Sequence, residues 1–314
     1  MAATEIIDIA PRGDVTLLCG EQVGDKKIIG LRVSSHILSY GSPVFNSLLA
    51  PKFREGTTLA TTSSVEIPLP EDDPSHMIVL CNILHMRHDQ EPYSINSPAT
   101  LAEFAVLCDK YNCARAVKPT LEQYITASLP TAEVDTLGQY LMVADSLRYD
   151  KLACMVGERL VLQLAQPVSE VIGVGSLRLG AMCANIDNMV LQTHSHISAF
   201  FESEIALQLP SHNMTCQSGC NVDMQRLTSL LKQLRGYEVW AVGYQRASVE
   251  STLRIMEGMR LYESSDIKAC ALGGNCMKNR CDSIDARNNS VWRKAAAIRA
   301  GLRKMDLSLP GNAS

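Results

Sequence analysis

A chain of 314 residues exceeds what one hydrophobic core usually organises, so two domains are expected. Its hydrophobic content of 46% is ample for a core, and with only 5% aromatic residues the packing falls to Leu, Ile, Val, Met and Ala. A formal charge of −4 gives no electrostatic ground for binding nucleic acid or an anionic membrane, and no window approaches the roughly 18 apolar residues of a membrane helix.

The first residues, Met1 to Asp8, lack the basic-then-apolar form of a secretory signal, so the expected location is cytoplasm or nucleus. There, the eleven cysteines should be reduced. Asp14 to Gly20 reads as a strand ending at a turn, with Lys26 to Ser34 as its hairpin partner. From Gly30 to Leu49 an apolar strand carrying Leu31 and Val33 runs into a short helix. Ser42-Pro43 then opens a second helix bearing Val44, Phe45, Leu48 and Leu49. Leu38, Phe45 and Leu48 are the expected core of that helical hairpin.

Three helix starts share one chemistry: Ser42-Pro43, Asp73-Pro74 and Ser97-Pro98. The first residue caps free backbone N–H groups, and proline fits the first helical position because its missing N–H costs nothing there. Glu71-Asp72-Asp73 accordingly reads as capping and as complement to the helix dipole. Val65 to Leu69 reads as an edge strand, because Pro68 and Pro70 cannot donate ladder bonds.

The helix after Pro74 presents Met77, Ile78, Leu80, Cys81 and Leu84. The helix after Pro98 presents Leu101, Phe104, Ala105 and Cys108 at amphipathic spacing. A helix over 113–126 should turn Val117, Leu121, Tyr124 and Ile125 inward, with Pro119 kinking it or marking its start. Strand signals then fade. Leu137, Tyr140, Leu141, Ala144 and Leu147 form one helical stripe. Leu152, Val156, Leu160 and Leu164 form the next, capped by Asp150 and stopped by Pro167. Residues 165–190 read as buried helix. Further helices follow at Leu227, Leu230, Leu231 and Leu234, at Val249, Leu253 and Met256, and over the basic stretch from Trp292 to Lys304. Arg287, Arg293, Lys294, Arg299, Arg303 and Lys304 suggest a solvated helix face, the alternative being contact with nucleic acid or a partner's acidic face.

The strand–helix–helix order at 30–49 resembles the core signature of the BTB/POZ family, and the resemblance covers about residues 12 to 127. The phrases Lys52-Phe53-Arg54-Glu55-Gly56, Ile67-Pro68-Leu69-Pro70-Glu71-Asp72-Asp73 and Leu107-Cys108-Asp109-Lys110-Tyr111-Asn112-Cys113 are similar to those of its fungal members. The resemblance implies an α+β BTB/POZ domain at 12–128, a small sheet with a helical cluster, followed by an all-α region at 129–314. It makes Leu31, Val33, Leu38, Ser42, Pro43, Phe45, Leu48, Asp109 and Tyr111 the signature positions, with Phe53 as an anchor and Tyr111 packing back at a helix end. It also implies a non-enzymatic protein-interaction module, either a substrate adaptor for a cullin-based ubiquitin ligase or a self-associating scaffold. The chain has Ser34-Ser35 where many animal members carry His-Lys. The long N-terminal strand and helix of swapped dimers are expected to be absent. Where cullin-binding relatives have an apolar-x-Glu motif, Glu91 follows Asp89.

The competing class is a zinc-binding module in the second half, acting as a nucleic-acid- or protein-binding regulator. His212, Cys216 and Cys220 would share a helix face, and Cys270, Cys276 and Cys281 lie in a Gly/Asn-rich stretch. Four of the six could form a tetrahedral thiolate–imidazole site, although neither group has the C-x₂-C knuckle. The alternative is unliganded thiols and no cofactor. Cys19, Cys81, Cys108, Cys113, Cys154 and Cys183 fall on apolar stripes and read as core. His76, His85 and His88 read as surface or capping groups, and His194 and His196 as too isolated for chemistry. The chain has no P-loop, H-E-x-x-H or G-x-S-x-G, so no catalytic constellation is expected.

Overall fold

Val15, Leu17, Leu18 and Cys19 are buried in one five-residue strand, and the sheet is built around it. The computed structural model describes residues 5–21, 28–87, 97–173, 176–208, 222–237, 247–260 and 284–303. They belong to two compact units, Met1–Ala153 and Cys154–Ser314. The first is mixed α+β, and the second is all-helical among its described residues.

The sheet of the first unit contains β1 (Glu5–Asp8), β2 (Val15–Cys19), β3 (Ile29–Val33) and β4 (Val65–Leu69), in the order β1-β3-β2-β4. β2 and β3 pair antiparallel, Val15 opposite Val33 and Cys19 opposite Ile29, as the hairpin pattern requires. β4 lies parallel to β2 at the edge expected from its prolines. β1 is a short strand not expected from the sequence: its four residues pair parallel with β3. None of the four is fully buried, so no hydrophobic alternation announced the strand. Arg32 pairs with Asp8 at 3.0 Å, and Arg87 Nη1 donates to the carbonyls of Asp8 and Ile9 at 3.1 and 3.0 Å. Gly13 permits the reversal into β2, since a Cβ there would stand 2.4 Å from the Val33 carbonyl oxygen.

Helices α1 (Ser35–Gly41) and α2 (Pro43–Leu48) follow β3. Leu38 and Phe45 point inward with no exposure, and Leu31 and Val33 are as fully buried beneath them. Leu48 is only half-buried, and Leu49 holds the core position expected of it. The difference is one residue of helical phase at the end of α2.

Helix α3 (Arg54–Thr62) was not expected from the sequence, and Gly56 is the one residue it buries. Its threonine hydroxyls, those of Thr57, Thr58, Thr61 and Thr62, donate to carbonyls one turn earlier. Phe53 is no anchor: it precedes α3, stays 44% exposed and lies beneath the Lys52 ammonium.

All three Pro-led helix starts are capped as expected. Ser42 Oγ accepts from Phe45 N–H. Asp73 accepts from Ser75 and His76 at the head of α4 (Pro74–Leu84). Ser97 and Thr100 form a reciprocal capping box at the head of α5 (Pro98–Lys110). α4 is buried nearly all round, and α5 buries Leu101, Phe104, Ala105, Leu107 and Cys108.

In α6 (Ala114–Ser128), Val117, Leu121 and Ile125 turn inward, whereas Tyr124 is exposed, contrary to expectation. Pro119 lies inside α6 and does not start it. α7 (Val134–Ser146) packs on α5 and buries Leu137, Tyr140, Leu141 and Ala144. That packing carries the first compact unit past the expected boundary at residue 128.

In the second unit, α8 (Asp150–Gln163), which enters from the first, is followed by α9 (Val168–Val171), α10 (Leu177–Gln208), α11 (Val222–Gly236), α12 (Val249–Gly258) and α13 (Ile284–Leu302). The stretch expected as one buried helix at 165–190 is divided between α9 and the first part of α10. Leu179, Met182, Cys183 and Ile186 give that part its buried stripe. α13 packs on α12, and Arg299 is not solvated as expected: its guanidinium binds Glu250 at 2.6 Å and Glu257 at 2.7 Å.

Phe45 is the most heavily used side chain of the hairpin core, enclosed completely and stacked on Tyr111. Phe45→Ala should lower unfolding stability by about 3–5 kcal/mol, read as a shift in the denaturant midpoint of the full chain.

Candidate interaction surface

The connection between β3 and α1 is fixed by two side chains from other elements. Asp14 accepts the Ser35 N–H at 2.8 Å and the Ser35 hydroxyl at 2.6 Å. The Ser34 N–H donates to His85 Nε2 at 3.0 Å, while His85 Nδ1 lies 2.8 Å from the Cys81 carbonyl. Because Nε2 is an acceptor, the proton sits on Nδ1 and is donated to Cys81, which defines a neutral ring. Burial first, and then the Arg87 charge, hold the His85 pKa below its ordinary value against the Cys81 bond. Burial of Asp14 is outweighed by its Ser35 bonds, so its carboxyl titrates below the ordinary range. His85 is therefore the C-cap of α4, one of the two roles expected of it, and it also ties down the start of α1. His76 is likewise buried, tilted against Phe104.

The other side of the hairpin is held at the end of α5. Ser42 Oγ donates to the Tyr111 carbonyl at 2.6 Å while accepting from Phe45 N–H at 3.1 Å. Tyr111, expected to pack back, stacks on Phe45 with ring centroids 4.4 Å apart and planes 8° from parallel. Its hydroxyl donates to Asp72 at 2.5 Å, and Lys110 Nζ reaches the other oxygen of Asp72 at 2.6 Å. Burial, followed by the Asp72 carboxylate, pushes the Tyr111 hydroxyl well above its ordinary pKa. Asp72 is thus a buried partner and not the cap it was read as; capping falls to Asp73 alone. Asp109 is exposed, and its carbonyl accepts the Asn112 N–H in the turn that ends α5.

With both edges pinned and Leu38 and Phe45 facing in, the hairpin exposes several apolar residues alongside the polar His36, Asn46 and Ser47. Ile37 and Val44 are partly exposed, Pro43 is exposed, and Tyr40 is 98% exposed. Gly41 lets this hairpin lie against α4, since a Cβ would come 2.7 Å from Leu84 Cδ2. The residues that make this surface were read in the sequence only as hairpin; the signal available was that Ile37, Tyr40 and Val44 fall off the Leu38–Phe45 stripe.

The metal candidates His212, Cys216, Cys220, Cys270, Cys276 and Cys281 lie outside the described residues, as does His88. Among the described residues no group of three or more His, Cys, Asp or Glu is placed to hold a metal ion, and no helix is long and apolar enough to cross a membrane. Cys19, Cys81, Cys108, Cys113 and Cys183 are buried as expected, while Cys154 is only partly so. Burial pushes Cys19 up to about 12 and Cys113 up to about 11, and raises Cys81 and Cys108 as well. These four are protonated thiols, poor nucleophiles and poor metal ligands. Comparison with protein-family models, with curated proteins and with solved structures gave no match.

The His85 tie has a pH signature. Its folded-state pKa lies below the unfolded value of 6.5, so the unfolded chain takes up the proton first. The contribution of the tie is complete above 6.5 and is lost as pH falls from 6.5 through the lower folded value. Urea midpoints measured from about pH 7 down to about pH 5 should fall, and His85→Gln should flatten that slope. Asp14 gives a separate loss only below 3.8, its unfolded value.

Proposed function

We propose that the chain is a non-enzymatic adaptor whose first unit is a BTB/POZ-like docking domain and whose helical second unit holds another protein. The observation that carries this is the set of exposed apolar residues on the α1–α2 hairpin, where Ile37, Tyr40 and Val44 are excluded from a core that is already filled. Support also comes from the order of elements: an antiparallel pair, a helical hairpin, a parallel edge strand, then the α4–α6 cluster. Large apolar groups gathered on a rigid scaffold favour a protein partner, because desolvating them rewards association while little order has to be gained.

Holding two partners on one chain raises their effective concentration without chemistry. In the first version of this function the hairpin side binds a cullin and the second unit presents a substrate. In the other version it binds a second copy, which makes the chain a scaffold.

Tyr40→Arg separates docking from folding, since the side chain supports nothing in the core. The variant should melt like the parent and lose its partner. Affinity purification of the full chain from native extract should recover a cullin that Tyr40→Arg does not. A concentration-dependent dimer in sedimentation, abolished by Tyr40→Arg, would instead establish the scaffold. Unchanged partners and unchanged assembly in the variant would remove this surface from the function.

A further inference from the structure

The second unit contains a cleft of about 610 Å³ between one face of α10 and the connection from α8 to α9, where Leu164 and Pro167 form the wall. The α10 face contributes Asp187, Leu191, His194, Ser198 and Glu202, at steps of three and four residues. At the rise of an α-helix, the cleft follows α10 for about 22 Å, the length of a docked helix of about 15 residues. The buried stripe of the same helix passes through Thr193, Ile197, Phe201 and Glu204, so the cleft face is not the one α10 uses for its own packing.

Side-chain size and charge narrow the occupant. Ser195, Ser198 and Ala199 occupy the middle of the face and leave room for another helix to approach closely. Leu191 is 68% exposed and offers an apolar contact. The two ends carry Asp187 and Glu202, and neither Lys nor Arg lines the cleft. Asp187 also accepts the Val168 N–H at 2.7 Å, and Ser198 Oγ lies 3.5 Å from Glu202, so both carboxylates are held at the rim. Burial keeps His194 below its ordinary pKa, so it does not offset the two negative charges near neutral pH. Two copies paired through this face would set acid against acid whether α10 ran parallel or antiparallel to itself.

We propose that the α10 cleft binds an amphipathic helix of a partner protein, one whose apolar stripe is flanked by Lys or Arg near both ends. Affinity then comes from the Leu191–Ala199 stripe, and orientation and capture rate from the two terminal carboxylates. This deepens the adaptor function by naming the chemistry of the second partner, yet it uses residues of the second unit alone.

A displayed library of amphipathic 16-residue helices, selected on the full chain, tests it. Enrichment of peptides with an apolar stripe and basic flanks is expected. Those peptides should lose binding about tenfold or more to Glu202→Lys and should be shut out by Ala199→Arg. Both positions are exposed, so melting should not change. Tyr40→Arg should bind the same peptides as the parent, which keeps a failure of the first docking surface distinct from a failure of this one. Three outcomes would each overturn the proposal. One is no enrichment, or enrichment of acidic peptides. A second is a dimer of the full chain that Ala199→Arg dissociates. The third is binding that appears only after part of the chain itself is deleted, which would make that segment the occupant.

Discussion

One hydroxyl, that of Ser42, sets the geometry of the first unit. It accepts from the Phe45 N–H in the first turn of α2 and donates to the carbonyl of Tyr111, so the start of one helix and the end of another share one atom. Ser42 is completely buried, and either bond left unmade would strand a polar group away from water. The ring of Tyr111 then stacks on Phe45, and its hydroxyl closes on Asp72. A buried carboxylate is costly unless its lone pairs are satisfied, and Asp72 has both Tyr111 and Lys110. Helical hairpin, α5 terminus and the turn before α4 are therefore positioned together. Alanine at residue 42 would remove both bonds that join the start of α2 to the end of α5.

This node explains why the hairpin exposes apolar residues without that being an accident of loose packing. Asp14 and His85 fix the entry to α1, Ser42 and Tyr111 fix α2, and the inward positions are taken by Leu38 and Phe45. Rotating the hairpin to hide Tyr40 would break bonds at both ends. A surface held this rigidly would surrender little conformational entropy on any association.

The sequence was most legible where local chemistry acts alone. Ser-Pro and Asp-Pro pairs located three helix starts because capping is a matter of adjacent atoms. A short apolar run ended by Gly20 located β2, and the edge position of β4 followed from its prolines. What stayed hidden depended on distant partners. The four residues of β1 are ordered by β3 and Arg87 and show no buried face of their own. α3 buries only Gly56, and its threonine hydroxyls turn back on their own helix, so no core stripe announces it. Asp72 looked like a cap, and the second bond of the capping His85 went unseen, because nothing nearby in the chain announces Tyr111 or Ser34. Leu48 and Leu49 differ by a single helical step, which spacing alone could not assign.

The same distinction between inward need and outward surplus applies to α10. A helix of 32 residues runs about 48 Å, longer than a small domain needs to bury a single stripe. Its buried positions continue from Leu179 to Glu204 at close to helical period, so the whole length is engaged on one side. The cleft face lies about a quarter-turn from that stripe, and there Leu191, Ser195 and Ala199 stand between two acids, alongside Leu164 and Pro167, while Asn188, Gln192 and His196 face solvent farther round. Small residues on an exposed helical face add no solubility and no helix propensity beyond alanine's, but they set how near another backbone can come. Both units thus present a face whose composition suits contact better than solvation, and an adaptor requires two such faces on one chain.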